Sequence, residues 1–157
     1  MQEYDVKACV AGDLTEEELA TCIAIIKSGD AVDPESAAAE LPRASVLAVV
    51  RQGDQIVGVG AIKRVRRDYA SRIAGRSGAS FKPDTPELGY VAVDSAHRGN
   101  HLSYRIVAML LSRCPGSLFA TTSKDRMKQT LAKAGFVQKG REWKGQNNYQ
   151  LSVWIRE

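Results

Sequence analysis

The residues best suited to chemistry fall in one stretch, Glu87 to Ser103. An apolar run, Glu87-Leu88-Gly89-Tyr90-Val91-Ala92-Val93, reads as a strand. A short polar loop, Asp94-Ser95-Ala96-His97-Arg98-Gly99-Asn100-His101, follows it and opens directly onto an apolar helix beginning at Leu102 and Ser103. A strand–loop–helix turn of this kind aims backbone N–H groups and the positive end of a helix dipole at one point. That is a common way of holding a phosphate or pyrophosphate. Gly99 allows a ligand to approach the backbone closely. Arg98 adds a charged donor, and Ser103 a hydroxyl donor at the helix start.

Other chemistries find less support. His97 and His101, with the scattered Cys9, Cys22 and Cys114, have no metal-ligand spacing, so no metal is expected. Ser103 has no evident base partner for nucleophilic catalysis. Trp143 and Trp154 read as packing residues, and Cys114, before Pro115-Gly116 at a helix end, reads as core.

The residues 87–111 and 124–136 resemble the GNAT family of N-acetyltransferases, in which a strand ending in a small-apolar run is followed by Arg-Gly-x-Gly-x-Gly/Ala and a helix. The segment Lys124 to Phe136, ending in Gly135-Phe136, resembles that family's second signature. The resemblance implies that Arg98, Gly99, Asn100, His101, Leu102 and Ser103 bind the pyrophosphate of acetyl-CoA. It also implies that the backbone of Tyr90, Val91, Ala92 and Val93, next to a bulge that splays two strands, pairs with the pantetheine arm and offers an N–H to the thioester carbonyl. Glu87 stands where family members often carry a glutamate that acts as general base through water. An amine with a pKa of ~10 is mostly protonated at neutral pH, so its attack on a thioester requires such a group. The alternative role for Glu87 is a solvated carboxylate or an ion pair with a nearby arginine. Three positions depart from the family pattern. His101 stands where glycine is usual, Ser103 where glycine or alanine is usual, and Leu131 where a tyrosine often protonates the leaving thiolate. Tyr90, Tyr104 and Tyr149 are the substitutes for that tyrosine.

Elements that would position these residues can be read along the chain. Alternation over Tyr4 to Val10 predicts a strand. Thr15 and Glu18 form a capping box for a helix with Leu19, Ile23 and Ile26 on one face and Gly29 at its end. Asp33-Pro34-Glu35 begins a shorter helix reaching Ala39. Two β-branched runs, Ser45 to Arg51 and Gln55 to Lys63, flank the turn residues Gly53-Asp54. Gly58 and Gly60 inside the second run point to close approach of another backbone or a ligand. Residues 64–86 lack periodicity and read as a basic, mobile flap beside the site, with a helical turn around Tyr69 to Ile73. A strand at Leu118–Thr122, a helix capped by Ser123 or Asp125, a further strand near Val137–Trp143 and a last strand at Tyr149–Arg156 complete the chain. The expected fold is therefore mixed α+β and GNAT-like. Its central, mostly antiparallel, splayed sheet is flanked by helices in a single domain spanning 1–157.

Composition narrows the functional classes. The 157 residues carry a net charge of +4, with 44% hydrophobic residues, enough for a core. No segment approaches membrane-spanning length, no signal peptide is visible, and three unpaired cysteines suit a reducing, cytoplasmic setting. The expected activity is transfer of an acetyl group from acetyl-CoA to a primary amine, on a small molecule or a protein. A catalytically weak CoA-binding regulatory module is the second reading. The third is a nucleic-acid-binding protein, suggested only by the basic residues between Lys63 and Lys82. The exposed edge of the C-terminal strand would suit a homodimer.

Overall fold

The computed structural model describes residues 3–29, 34–145 and 148–157. The expected helix-start residue Asp33 lies outside them. Seven strands and five helices follow the order β1 (Asp5–Cys9), α1 (Glu16–Lys27), α2 (Pro34–Glu40), β2 (Val46–Gln52), β3 (Gln55–Ile62), α3 (Arg67–Ser77), β4 (Leu88–Val93), α4 (Leu102–Arg113), β5 (Leu118–Thr122), α5 (Asp125–Lys133), β6 (Val137–Lys144) and β7 (Gln150–Arg156) among the described residues. The strands form two sheets, one ordered β1-β2-β3-β4 and one ordered β5-β7-β6. All pairings within the sheets are antiparallel. The sheets meet at the start of β4, where a parallel bridge joins Glu87 to Phe119, and diverge beyond it.

Alternation gives the first sheet two apolar faces, and a bulge in β3 opposite Val50 and Arg51 puts Val57 on the other face from Val59. Ala48, Val50 and Val57 pack with Leu102, Ile106 and Leu110 of α4, whereas Leu47, Val49 and Val59 pack with Cys22, Ile25 and Ile26 of α1. The capping box that starts α1 is formed: the Glu18 N–H donates to Thr15 Oγ1 and the Thr15 N–H to Glu18 Oε1, each at 3.0 Å. Gly60 and Gly58 accommodate α4. A Cβ on Gly60 would collide with Ile106 and reach Leu110 at 3.2 Å. The close approach expected at these glycines is thus made by helix side chains.

The segment expected to be a mobile flap contains α3. Ala70, Ile73 and Ser77 are its buried residues, spaced three and four apart, and with Phe119, Val153 and Ile155 of the second sheet they form a third core cluster or lie beside it. Gly78 closes the helix in the left-handed conformation, with φ 74° and its N–H bonded to Ala74 O. The stripe is built of small residues between arginines, which gives weak hydrophobic periodicity. Two other expectations are corrected. Neither Ser123 nor Asp125 caps α5; Lys124 occupies the N-cap position, and its N–H donates to Thr122 Oγ1. The C-terminal strand β7 lies in the middle of its sheet, so the outer strands there are β5 and β6.

Candidate active site

The divergence of β4 from β5 opens a cleft of about 1480 Å³. Every candidate catalytic or cofactor-binding residue lines it except Asn100, whose side-chain amide donates to His97 O at 2.9 Å and to the Tyr4 hydroxyl at 3.3 Å. Asn100 therefore braces the loop against the segment leading into β1.

The floor of the cleft is a strand with a bulge. Opposite β3, β4 shifts register between the Val59–Ala92 and Ala61–Gly89 pairs, so Tyr90 and Val91 together face Gly60. Tyr90 takes φ 55°, a left-handed conformation that a bulky residue adopts only where its surroundings hold it. Here its ring carries the Lys63 ammonium 4.1 Å from the centroid, and its hydroxyl lies 3.2 Å from Ser36 Oγ. The distortion interrupts the ladder beside Val91 and Ala92, both of which line the cleft.

At the C-terminal end of β4 the loop reaches α4 through two left-handed residues, Gly99 at φ 87° and His101 at φ 57°. The expected glycine at position 101 is replaced by a histidine in the conformation glycine favours. His101 is the N-cap of α4 and makes no side-chain hydrogen bond to the first turn. The N–H groups of Leu102, Ser103 and Tyr104 have no partner inside the helix by construction, and all three residues line the cleft. A Cβ at Gly99 would meet nothing within 4 Å. This geometry, an open turn at the positive end of a twelve-residue helix beside Arg98, fits a pyrophosphate.

At the opposite end of β4, Glu87 is 5% exposed and its Oε1 accepts from Arg66 Nη2 at 3.0 Å and from Lys63 Nζ at 3.1 Å. The ion pair considered as its alternative role is present, made by Lys63 as well as by an arginine. Gly89 makes room for Lys63, since a Cβ there would sit 2.7 Å from Lys63 Cε. Tyr69 of α3 completes the cluster. The Glu87 charge, followed by burial, pushes its hydroxyl above the usual tyrosine range and keeps it protonated, while a hydrogen bond with Thr121 opposes the shift. The Arg66 and Arg72 guanidiniums lie 4.2 and 5.5 Å from the Tyr69 ring centroid.

Lys63, Arg66 and Tyr69 were not expected as site residues. The cluster of basic residues was the available signal, but Lys63 reaches Glu87 from the end of β3, where its N–H donates to Glu87 O, and Arg66 and Tyr69 from the start of α3. Leu131, at the position of the family's tyrosine, is fully buried in the core between α4 and α5. Of the candidate substitutes, Tyr104 lines the cleft beside α5 with Lys133 4.5 Å from its ring, and Tyr149 lines it from the second sheet. Among the described residues, no group of three His, Cys, Asp or Glu side chains gathers as metal ligands would, and no helix is long and apolar enough to cross a membrane.

Comparison with known proteins agrees with this architecture. An acyl-CoA N-acyltransferase from Pseudomonas aeruginosa superimposes with a TM-score of 0.73 at 13% identity, covering 99% of this chain and 100% of that one. Escherichia coli ElaA gives 0.71 at 12% identity, with 99% and 100% covered. The yncA protein of Salmonella typhimurium, solved with its cofactor acetyl-CoA, gives 0.66 at 14% identity, with 99% and 94% covered. At such identities the likeness is one of fold. No curated protein matches the chain by sequence. Residues 14–136, by contrast, match the acetyltransferase (GNAT) family directly. With the splayed sheets, the bulged strand and the helix-opening loop already in place, that match is decisive: the chain belongs to the GNAT acetyltransferase family.

Proposed function

We propose that this protein is a cytoplasmic N-acetyltransferase that moves an acetyl group from acetyl-CoA to a primary amine by direct attack in a ternary complex. The observation that carries the reading is the continuous path along β4, from the open turn at 98–103, past the bulge at Tyr90, to the carboxylate of Glu87. The loop and the first turn of α4 would hold the pyrophosphate. The pantetheine arm would run beside Val93, Ala92 and Val91 as an added strand. The amine nitrogen attacks the thioester carbon, the C–S bond breaks, and the thiolate leaves. A backbone N–H near Val91 to Val93 offers a donor to the carbonyl oxygen as charge develops there. Glu87 accepts the ammonium proton through water, held in place by Lys63 and Arg66. No protonated side chain is required of Leu131, because a thiolate with a pKa near that of other thiols, ~8.5, can leave unaided.

The burial of Leu131 and the double ion pair of Glu87 favour one other reading, a regulatory module that binds acetyl-CoA without turning it over. Glu87→Gln separates the two. In an enzyme, thiol release in the presence of an accepted amine should fall about 10²- to 10⁴-fold while acetyl-CoA affinity is kept. Removing one partner from a buried pair also threatens the fold, so Glu87→Asp, which keeps the charge, is measured beside it with the melting temperature of each. Unchanged turnover in a folded Glu87→Gln protein would remove Glu87 from the mechanism. Absence of thiol release by the wild type across an amine panel, with acetyl-CoA bound, would favour the regulatory module.

A further inference from the structure

The cleft carries two separate groups of cations, at opposite ends of β4. Arg98 at the loop and Lys124, Arg126 and Lys133 around α5 stand at the pyrophosphate end. Lys63 and Arg66 stand at the Glu87 end, with Arg72 beside Tyr69 and Arg76 one turn further along α3. The six residues of β4 separate the two ends, a distance of roughly 20 Å at ~3.3 Å per residue. The phosphates of one bound acetyl-CoA molecule, seated at the loop, are therefore met by the first group and leave the second for something else.

Among the described residues, Glu87 is the one carboxylate lining the cleft, and it is already shared by Lys63 and Arg66. Arg72 and Arg76 form no ion pair with a described carboxylate, in contrast to Arg51, Arg64 and Lys128, which do. Their placement is set by packing. Ala70, Ile73 and Ser77 bury one stripe of α3, which turns the neighbouring stripe of Arg66, Tyr69, Arg72 and Arg76 along the cleft wall. The Tyr69 ring supports the Arg66 and Arg72 guanidiniums beside it. A wall of one sign in a partly enclosed cleft raises the local concentration of ligands of the opposite sign and rejects those of its own.

From this we infer that the acceptor is an amine whose body carries an anionic group, a carboxylate or a phosphate, held by Arg72 and Arg76 with its amine directed to Glu87. Polycationic amines are excluded by the same wall. The inference rests on the acetyltransferase reading above and narrows its acceptor class.

The test is a set of matched amines assayed by thiol release with acetyl-CoA: the C-terminal amide of glycylglutamate against those of glycylglutamine and glycyllysine, phosphoethanolamine against ethanolamine, and spermidine. At least one anionic member should exceed its neutral partner about tenfold in kcat/KM, with the advantage shrinking as salt rises. The peptide and phosphate pairs distinguish the two anions. In the Arg72→Gln/Arg76→Gln protein, both changes being at exposed positions, the KM for the anionic acceptor should rise roughly five- to tenfold. The KM for its neutral partner and for acetyl-CoA should stay unchanged. Preference for the neutral, lysyl or polyamine acceptors, no turnover of any anionic member, or an equal loss on both members of a pair would overturn the inference. Binding of acetyl-CoA alone, followed in the same samples, keeps these failures distinct from failure of the underlying reading. If acetyl-CoA does not bind, that reading and this inference fall together.

Discussion

Glu87 shows how far a single residue can be read from sequence. Its place at the head of an apolar strand, where the resembled family often carries a glutamate, marked it as a candidate base, and the structure puts it at the inner end of a cleft. Its partners could not be read the same way. Lys63 ends one strand run, and Arg66 and Tyr69 lie in a stretch without periodicity; only tertiary packing brings them to one carboxylate. His101 is the reverse case, an unexpected residue type whose φ of 57° supplies the conformation the loop needs. The cysteines yield a prediction at this scale. Burial, its largest cause, raises the Cys22 thiol to about 11, and Cys9 is also raised, chiefly by burial. The thiolate is the reactive form, so in the native protein at pH 8 an alkylating reagent should leave Cys22 unmodified until denaturant is added. Mass mapping of the labelled peptides checks this. Rapid native labelling of Cys22 would contradict its burial in the α1 interface.

At the scale of elements, the strands and the longer helices were legible because their patterns are strong. The capping box of Thr15 and Glu18, the β-branched runs of β2 and β3 and the apolar run of β4 each specify one structure. Helix α3 was hidden because its buried stripe is Ala70, Ile73 and Ser77, too small and polar to stand out between arginines. The bulge at Tyr90 was expected from family resemblance; nothing in the local sequence demands φ > 0 at a tyrosine. The glycines of β3 marked close packing, and the structure names α4 as the neighbour. Gly60→Ala would drive a methyl into Ile106 and Leu110, at the centre of the α4 interface. Overpacking of this kind costs about 1–3 kcal/mol, or a fall of roughly 2–12 °C in melting temperature for a domain of this size. An unchanged melting temperature would mean that α4 can slide away from β3 at no cost.

For the whole molecule, the organising feature is the parting of two antiparallel sheets after the Glu87–Phe119 bridge. Separate core clusters stabilise each side of the opening, so the cleft is a product of the fold and not a gap in one core. Charge is distributed to match: the acidic first turn of α1 borders a different hollow, while cations line the cleft. Ion pairs also set an acid limit to stability. A backbone hydrogen bond at the Thr15 cap, then Arg51, lowers Glu18; Arg64 lowers Glu40; Lys128 lowers Glu142. Depressed carboxylates contribute their stability above the unfolded value of 4.5 and lose it as pH falls through their lower folded values. The melting temperature should therefore decline below pH 4.5, and a rise there would reverse the assigned signs.

The central claim is that the turn at 98–103 and the bulged β4 form an acetyl-CoA site, and thermal unfolding tests it most directly. A ligand that binds only the folded protein stabilises it by about 2.7 kcal/mol at a hundred times its Kd, worth roughly 5–10 °C here. Millimolar acetyl-CoA and free CoA should both raise the melting temperature by that order, and ATP at the same concentration should not. No shift with either CoA species, or an equal shift with ATP, would contradict the account.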